Sequence, residues 1–327
     1  IYMGDWSSDV CSSDLASFYR PTRERHKILI EKRAFSSDRY AVASQIRLHG
    51  YDPATALLEI GPQHDEATIR TSDICELIER EGSTIATVML PGVQYLSGQC
   101  FDMAAIADCA RRQGCNIGFD LAHAIGNVEL ALHDWNADFA VWCSYKYLNG
   151  GPGAIGGCYV HERHARAVDL PRLAGWWGHD KASRFDMPEV FRALPGAEGW
   201  QISNPSILSA APLLASLASF DHAGMQQLRK KSVSLTAYLE SLLNQRLKDS
   251  LTILTPSDPA ARGCQLSLRL RRSPAEARAV HSILTDRGYI CDWREPDVIR
   301  VAPVPMYNQF VEVWEFVQAL QEALTPH

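Results

Sequence analysis

The run Asp138-Phe139-Ala140-Val141-Trp142-Cys143-Ser144-Tyr145-Lys146-Tyr147-Leu148-Asn149 decides how the rest of the chain is read. Phe139 to Cys143 is a short continuous apolar stretch, the mark of a buried strand. It ends at Ser144, and a lysine follows two residues later, between two tyrosines. Gly150-Gly151-Pro152-Gly153-Ala154-Ile155-Gly156-Gly157 comes next. Burial lowers the pKa of an ammonium, and a neutral amine attacks a carbonyl, so Lys146 is a candidate nucleophile. The plain alternative is a lysine that carries its charge out of a strand end to water. Gly151, Gly153 and Gly156 also match a dinucleotide fingerprint, which should open a helix. Here they precede Ile155 to Val160, itself strand-like. The glycines are therefore read as letting backbone pass close to the lysine.

Upstream, Asn116-Ile117-Gly118-Phe119-Asp120 reads as another short buried strand that ends in a carboxylate, with His123 on the next turn. An acid at one strand end and a lysine at another fit a pyridoxal phosphate site. The lysine would carry the cofactor aldehyde, and the acid would keep the pyridine nitrogen protonated so that the ring accepts electrons.

The same alternation extends outward. Lys27 to Ile30 and Ile85 to Leu90 read as strands. Tyr40 to Leu48, Asp73 to Arg80 and Met103 to Gln113 read as helices, the first stopped by Gly50. Asp38 is a candidate N-cap. Strands written as unbroken apolar runs between helices predict an α/β fold, a mostly parallel sheet covered by helices on both faces. Residues 175–180 and 200–208 read as loops. Helices are expected over Ala211–Phe220 and Met225–Leu247, the second joining two domains. The C-terminal part changes rhythm. Gln265–Leu270, Tyr289–Cys291 and Val298–Ala302 read as strands. A capping box at Ser273 opens a helix that runs to Arg287, and Phe310–Leu324 is the last helix. This is a smaller α+β domain. The expected division is a large domain over 16–220, a linking helix over 221–248 and a small domain over 249–327.

A chain of 327 residues has room for two such domains. The net charge of -6 and the lack of a basic tract argue against nucleic-acid binding. No apolar stretch is long enough to span a membrane. The nine cysteines follow no metal-binding spacing, so no metal is expected. Cys109, Cys143, Cys158 and Cys291 lie in apolar surroundings, which suggests reduced core residues of a cytoplasmic protein. Residues 1–15 are expected to be foreign. Ser7 to Leu15 repeats Ser-Ser-Asp without periodicity, is not a signal peptide, and matches the translation of a sequencing adapter.

Longer motifs carry a resemblance. Gly118 to Leu130 (GFDLAHAIGNVEL), Leu132-His133-Asp134-Trp135, Trp142 to Asn149 (WCSYKYLN), Gly175-Trp176-Trp177-Gly178-His179, Ile202-Ser203-Asn204-Pro205 and Ile299 to Asn308 (IRVAPVPMYN) resemble kynureninase. The resemblance runs from about Ser17 to the C-terminus and implies an aminotransferase-like pyridoxal phosphate fold (fold type I) lacking its N-terminal part. It implies hydrolytic Cβ–Cγ cleavage of kynurenine or 3-hydroxykynurenine by a homodimer. By the same resemblance, Lys146 holds the cofactor and Asp120 its ring nitrogen. His123 orients Asp120 or the ring, and Tyr145 contacts the phosphate and donates a proton. Phe35 stacks on the ring and Asp38 belongs to the cofactor loop. Trp176 and Asn204 reach the site across a subunit interface, with Asn204 toward the ring hydroxyl. Arg300 binds the substrate carboxylate. Pro91 departs from the family, which commonly has a hydroxyl residue there. Other enzymes of this fold, an aminotransferase or a cysteine desulfurase-like lyase, and an inactive fragment stay open as alternatives.

Overall fold

The computed structural model describes residues 15–167 and 169–325. The foreign segment expected over 1–15 lies outside the described residues except for Leu15, which is buried in a core cluster with Phe18 and Tyr19.

The larger sheet is built from β1 (Lys27–Glu31), β2 (Leu57–Ile60), β3 (Ile85–Pro91), β4 (Asn116–Asp120), β5 (Phe139–Cys143) and β6 (Gly156–Val160). Its order is β2-β1-β3-β4-β5-β6. All pairs are parallel except β5 with β6. Helices α1 (Ser36–Leu48), α2 (Thr71–Glu81) and α3 (Met103–Arg112) alternate with the strands. Successive strand residues face opposite ways, so the unbroken apolar runs feed two cores. Leu29, Val88 and Leu90 pack with Ile74 and Ile78 of α2 and Ile106 of α3 on one face. Ile28, Ile30 and Met89 pack with Val42 and Ile46 of α1 on the other. Each fully buried side chain of this kind contributes about 2 kcal/mol. Gly118 lets β4 and β5 close up, since a Cβ there would meet the Phe139 ring at 2.1 Å.

The chain then forms α4 (Ile207–Ala223) and α5 (Met225–Arg246). The smaller sheet is antiparallel, in the order β7-β8-β10-β9, from β7 (Leu251–Ile253), β8 (Leu266–Leu270), β9 (Asp292–Arg294) and β10 (Val298–Val301). Its core takes residues from α6 (Pro274–Asp286) and α7 (Phe310–Leu324), together with Leu235, Leu239, Leu242 and Leu243 of α5. Ser273 closes the expected capping box with Glu276.

The loop after β3 joins the two sheets. Tyr95 C=O accepts from Gln265 Nε2 at 3.1 Å, Leu96 C=O from Ser267 Oγ at 2.5 Å, and Ser97 C=O from Thr255 Oγ1 at 2.6 Å.

Several expectations are corrected. Tyr289 to Cys291 is not a strand: Cys291 N–H donates to Tyr289 C=O at 3.1 Å in a tight turn, and the strand starts at Asp292. The loop ends at Ser206 rather than 208, and α4 carries Pro212 inside it, which forfeits one helical bond. Strands β2 and β7 were not legible, being three or four residues long with polar members. Not all the cysteines are reduced. Cys75 of α2 and Cys109 of α3 form a disulfide with Cα atoms 5.7 Å apart, a pairing of packed helices that spacing does not reveal.

Candidate active site

The candidate residues gather at the carboxyl ends of the parallel strands, where ligands bind in such sheets. Asp120 closes β4 opposite Pro91, the last residue of β3. β5 runs into a loop closed by Gly150 N–H on Ser144 C=O at 2.9 Å and by Asn149 N–H on Lys146 C=O at 3.0 Å. A Cβ at Gly150 would meet that same Ser144 oxygen at 2.9 Å, so the turn requires glycine. The glycines beyond it lead into antiparallel β6 rather than a helix, and the dinucleotide reading falls away. Held in this loop, Lys146 Nζ lies 5.8 Å from the centroid of the Phe35 ring and 5.4 Å from that of Tyr145.

Asp120 is fixed by Ala122 N–H, which donates to its Oδ1 at 2.8 Å. The turn that follows brings His123 edge-on to Tyr147, with ring centroids 5.8 Å apart. Gly126 permits this approach: its φ is +75° and a Cβ would meet Tyr147 C=O at 2.7 Å. Asp38 is not an N-cap. Phe35 takes that position, and Asp38 stands in the first turn of α1 with its carboxyl hydrogen-bonded to Asp120.

Acids outnumber amines here. Burial, then the charge of Asp120, its hydrogen bond and Glu31 hold the Asp38 carboxyl well above the usual carboxylate range, against the pull of Lys146. Glu31, buried at the end of β1, is pushed up to about 8 by burial and by Asp120 and Glu59. His123 is kept neutral, well below the usual imidazole range, by burial and by Lys146, Arg300 and Arg294. Its Nδ1 is buried without a hydrogen-bond partner among the described residues.

Arg300 enters from β10. Its Nη1 donates to Tyr95 C=O at 2.5 Å, and its Nε donates to Asp292 at 2.5 Å. Trp176 and Asn204 are not brought to this cluster within the chain. Trp176 packs against Trp177 and Phe185 and donates its indole N–H to Arg184 C=O, while Asn204 is exposed. Sequence reasoning missed Glu31, Gln94, Tyr95 and Asp292. Glu31 carried a signal: a carboxylate directly after the apolar run Ile28–Ile30, the pattern that singled out Asp120. The other three depend on loop and cross-strand contacts that leave no local mark.

Among solved structures, the fold is similar to a cysteine desulfurase from Thermococcus onnurineus NA1, with a TM-score of 0.77, 17% identity, and coverage of 97% of this chain and 77% of that one. It is also similar to a lysine-to-alanine variant of C-DES with glycine covalently linked to its PLP cofactor, with a TM-score of 0.78, 17% identity, and coverage of 97% and 79%. The fold is thus that of the fold-type-I pyridoxal phosphate enzymes. The profile of the kynureninase C-terminal domain matches residues 228–320. Kynureninase from Koribacter versatilis is 58% identical over 93% of this chain and 71% of its own length. Kynureninase from Myxococcus xanthus is 58% identical over 94% and 71%, and that of Xanthomonas euvesicatoria 56% over 94% and 72%. The chain belongs to the kynureninase family.

The side chains present fit pyridoxal phosphate. Three carboxyls, Glu31, Asp38 and Asp120, converge with Lys146 as the cation acting on Asp38, so the carboxyls outnumber the positive charge beside them. A protonated pyridine nitrogen would supply more of it. The orphaned His123 Nδ1 offers a further polar contact.

Proposed function

We infer that this chain is a kynureninase that uses pyridoxal phosphate to cleave L-kynurenine or 3-hydroxy-L-kynurenine hydrolytically at Cβ–Cγ. The products are L-alanine and anthranilate or 3-hydroxyanthranilate, a step in tryptophan catabolism that feeds NAD biosynthesis. The identity of 54–58% to kynureninases over most of the chain supports this reaction above that of the desulfurases, which share only the fold. The carrying observation is one lysine amine facing Phe35 and coupled to Asp38 and His123 at the carboxyl edge of the sheet.

When bound, pyridoxal phosphate supplies an electron sink for the substrate α-carbon. Lys146 would hold the cofactor through its amine, and the same amine would take the substrate Cα proton. Asp120, backed by Asp38, keeps the ring nitrogen protonated. Phe35 stacks on the ring, and neutral His123 orients Asp120 or the ring. Tyr145 binds the phosphate and donates a proton as the carbon–carbon bond breaks. Arg300 receives the substrate carboxylate. Pro91 has no N–H and no hydroxyl, so one family contact is absent here.

Trp176 and Asn204 complete the site from a second subunit of a homodimer. In support, α4 has no buried residue, and its Ile207, Leu208 and Leu214 are exposed, an apolar face suited to cover by another chain. We place the enzyme in the cytoplasm; among the described residues no helix is long and apolar enough to cross a membrane. The large domain, linking helix and small domain are proposed at 16–220, 221–248 and 249–327.

Chromatographic detection of anthranilate and alanine from L-kynurenine, with Lys146→Ala as control, tests the reaction. Product that requires an added amino acceptor would overturn it. Light scattering tests the dimer.

A further inference from the structure

Glu31 closes β1 and takes no part in the reaction above, yet only 4% of it is exposed. Its partners are its own N–H and the Gln94 side chain. Gln94 is not free to turn. Its Oε1 accepts from Leu96 N–H at 2.7 Å and Ser97 N–H at 2.9 Å, which leaves the amide nitrogen to face Glu31. The groups around Glu31 come from every neighbouring element. Asp120 lies on β4, Asp38 on α1, and Glu59 on β2, where Arg39 of α1 pairs with it. Lys146 lies beyond Asp38.

A buried carboxyl with acids on three sides is stable in its neutral form. The Gln94 amide can donate to either form, but only the neutral one adds no charge to the pair that faces the cofactor ring. We propose that Glu31 is a positioning residue: as a carboxylic acid anchored by Gln94, it fills the space beside Asp38 and Asp120 without adding a further negative charge, and so keeps them turned to the cofactor nitrogen. This role rests on the reading of Lys146 and Asp120 as the cofactor site. The rise of the Glu31 pKa from 4.5 to about 8 agrees with it.

The sign of the pH effect follows. A carboxyl whose pKa is raised on folding contributes stability that is fully present below its unfolded value and lost as pH rises through the folded one. Urea unfolding of the cofactor-free chain is measured from about pH 5 to about pH 9 for the wild type and Glu31→Gln. The wild-type midpoint should fall relative to that of the variant up to about pH 8 and then run parallel. Midpoints that run parallel throughout overturn the neutral acid.

Titration with pyridoxal phosphate, read by visible absorption, tests the positioning. Glu31→Gln keeps the partner of Gln94 and should bind within about threefold of wild type. Glu31→Ala strands the buried amide and should bind about tenfold more weakly. Equal binding by both variants overturns the role. A wild-type chain that takes up no pyridoxal phosphate overturns the cofactor reading itself, and the positioning role with it. Parallel urea curves in a chain that does bind it overturn the proposal alone.

Discussion

Arg300 and Asp292 are register partners across the β9–β10 ladder, and the carboxylate of Asp292 grips the Nε edge of the guanidinium. With Nη1 given to Tyr95 C=O, the arginine is aimed by two chain segments before any ligand arrives. On the proposed reading of Arg300, a substrate carboxylate would meet a preset fork and compete with Asp292 for it.

Loss of that fork should appear in KM. Arg300→Lys replaces a planar two-pronged donor by a point charge, and KM for kynurenine should rise by about 10-fold or more. Asp292→Asn keeps the shape but weakens both the aim and the competition, and should change KM by less. Steady-state kinetics decide it; an unchanged KM in Arg300→Lys removes the carboxylate role.

Lys146→Ala removes the amine while the loop keeps its Ser144–Gly150 closure. Turnover should fall by at least about 10²-fold, and the visible band of the cofactor held through an amine should vanish. Multiple turnover at the wild-type rate refutes the assignment.

Gly118→Ala and Gly126→Ala test the packing that places Asp120 and His123. The new methyl would strike the Phe139 ring at 2.1 Å in one case and Tyr147 C=O at 2.7 Å in the other. Each should destabilise by about 1–3 kcal/mol or more in urea unfolding. A neutral effect would mean that the sheet and the turn relax freely.

At the opposite end of β5, Asp138 should give the chain acid sensitivity. Burial would raise its pKa, but His164 at 2.7 Å, Arg163 and Ile117 N–H at 2.8 Å hold it below the usual carboxylate value. A depressed carboxyl contributes stability that is present above its unfolded pKa and lost as pH falls through the folded one. Asp138→Asn should therefore cost about 1–3 kcal/mol at neutral pH and little in acid. Thermal melts across pH read both.

The larger sheet apart from β2 was legible because strands buried on both faces are written as largely apolar runs, as from Ile85 to Leu90 and Phe139 to Cys143. The places of Asp120 and Lys146 were legible because one closes such a run and the other stands three residues beyond one, so both mark strand ends. Glu31 followed the same rule and was passed over. Asp292, Tyr95 and Gln94 were beyond reach, since their roles come from contacts across a ladder or between two sheets. The Cys75–Cys109 bridge joins positions 34 residues apart on two helices, and only their packing shows it.

The loop that both sheets share has a consequence for dissecting the protein. Cut away from residues 92–99, the smaller sheet would keep Gln265, Ser267 and Thr255 with hydroxyls and amides built to reach carbonyls on another segment. Those groups are buried today and would be bare on a severed piece. The C-terminal stretch can be delimited in sequence, but it is not a portable cassette: grafted or expressed alone, it would carry a polar seam that matches only its own front half.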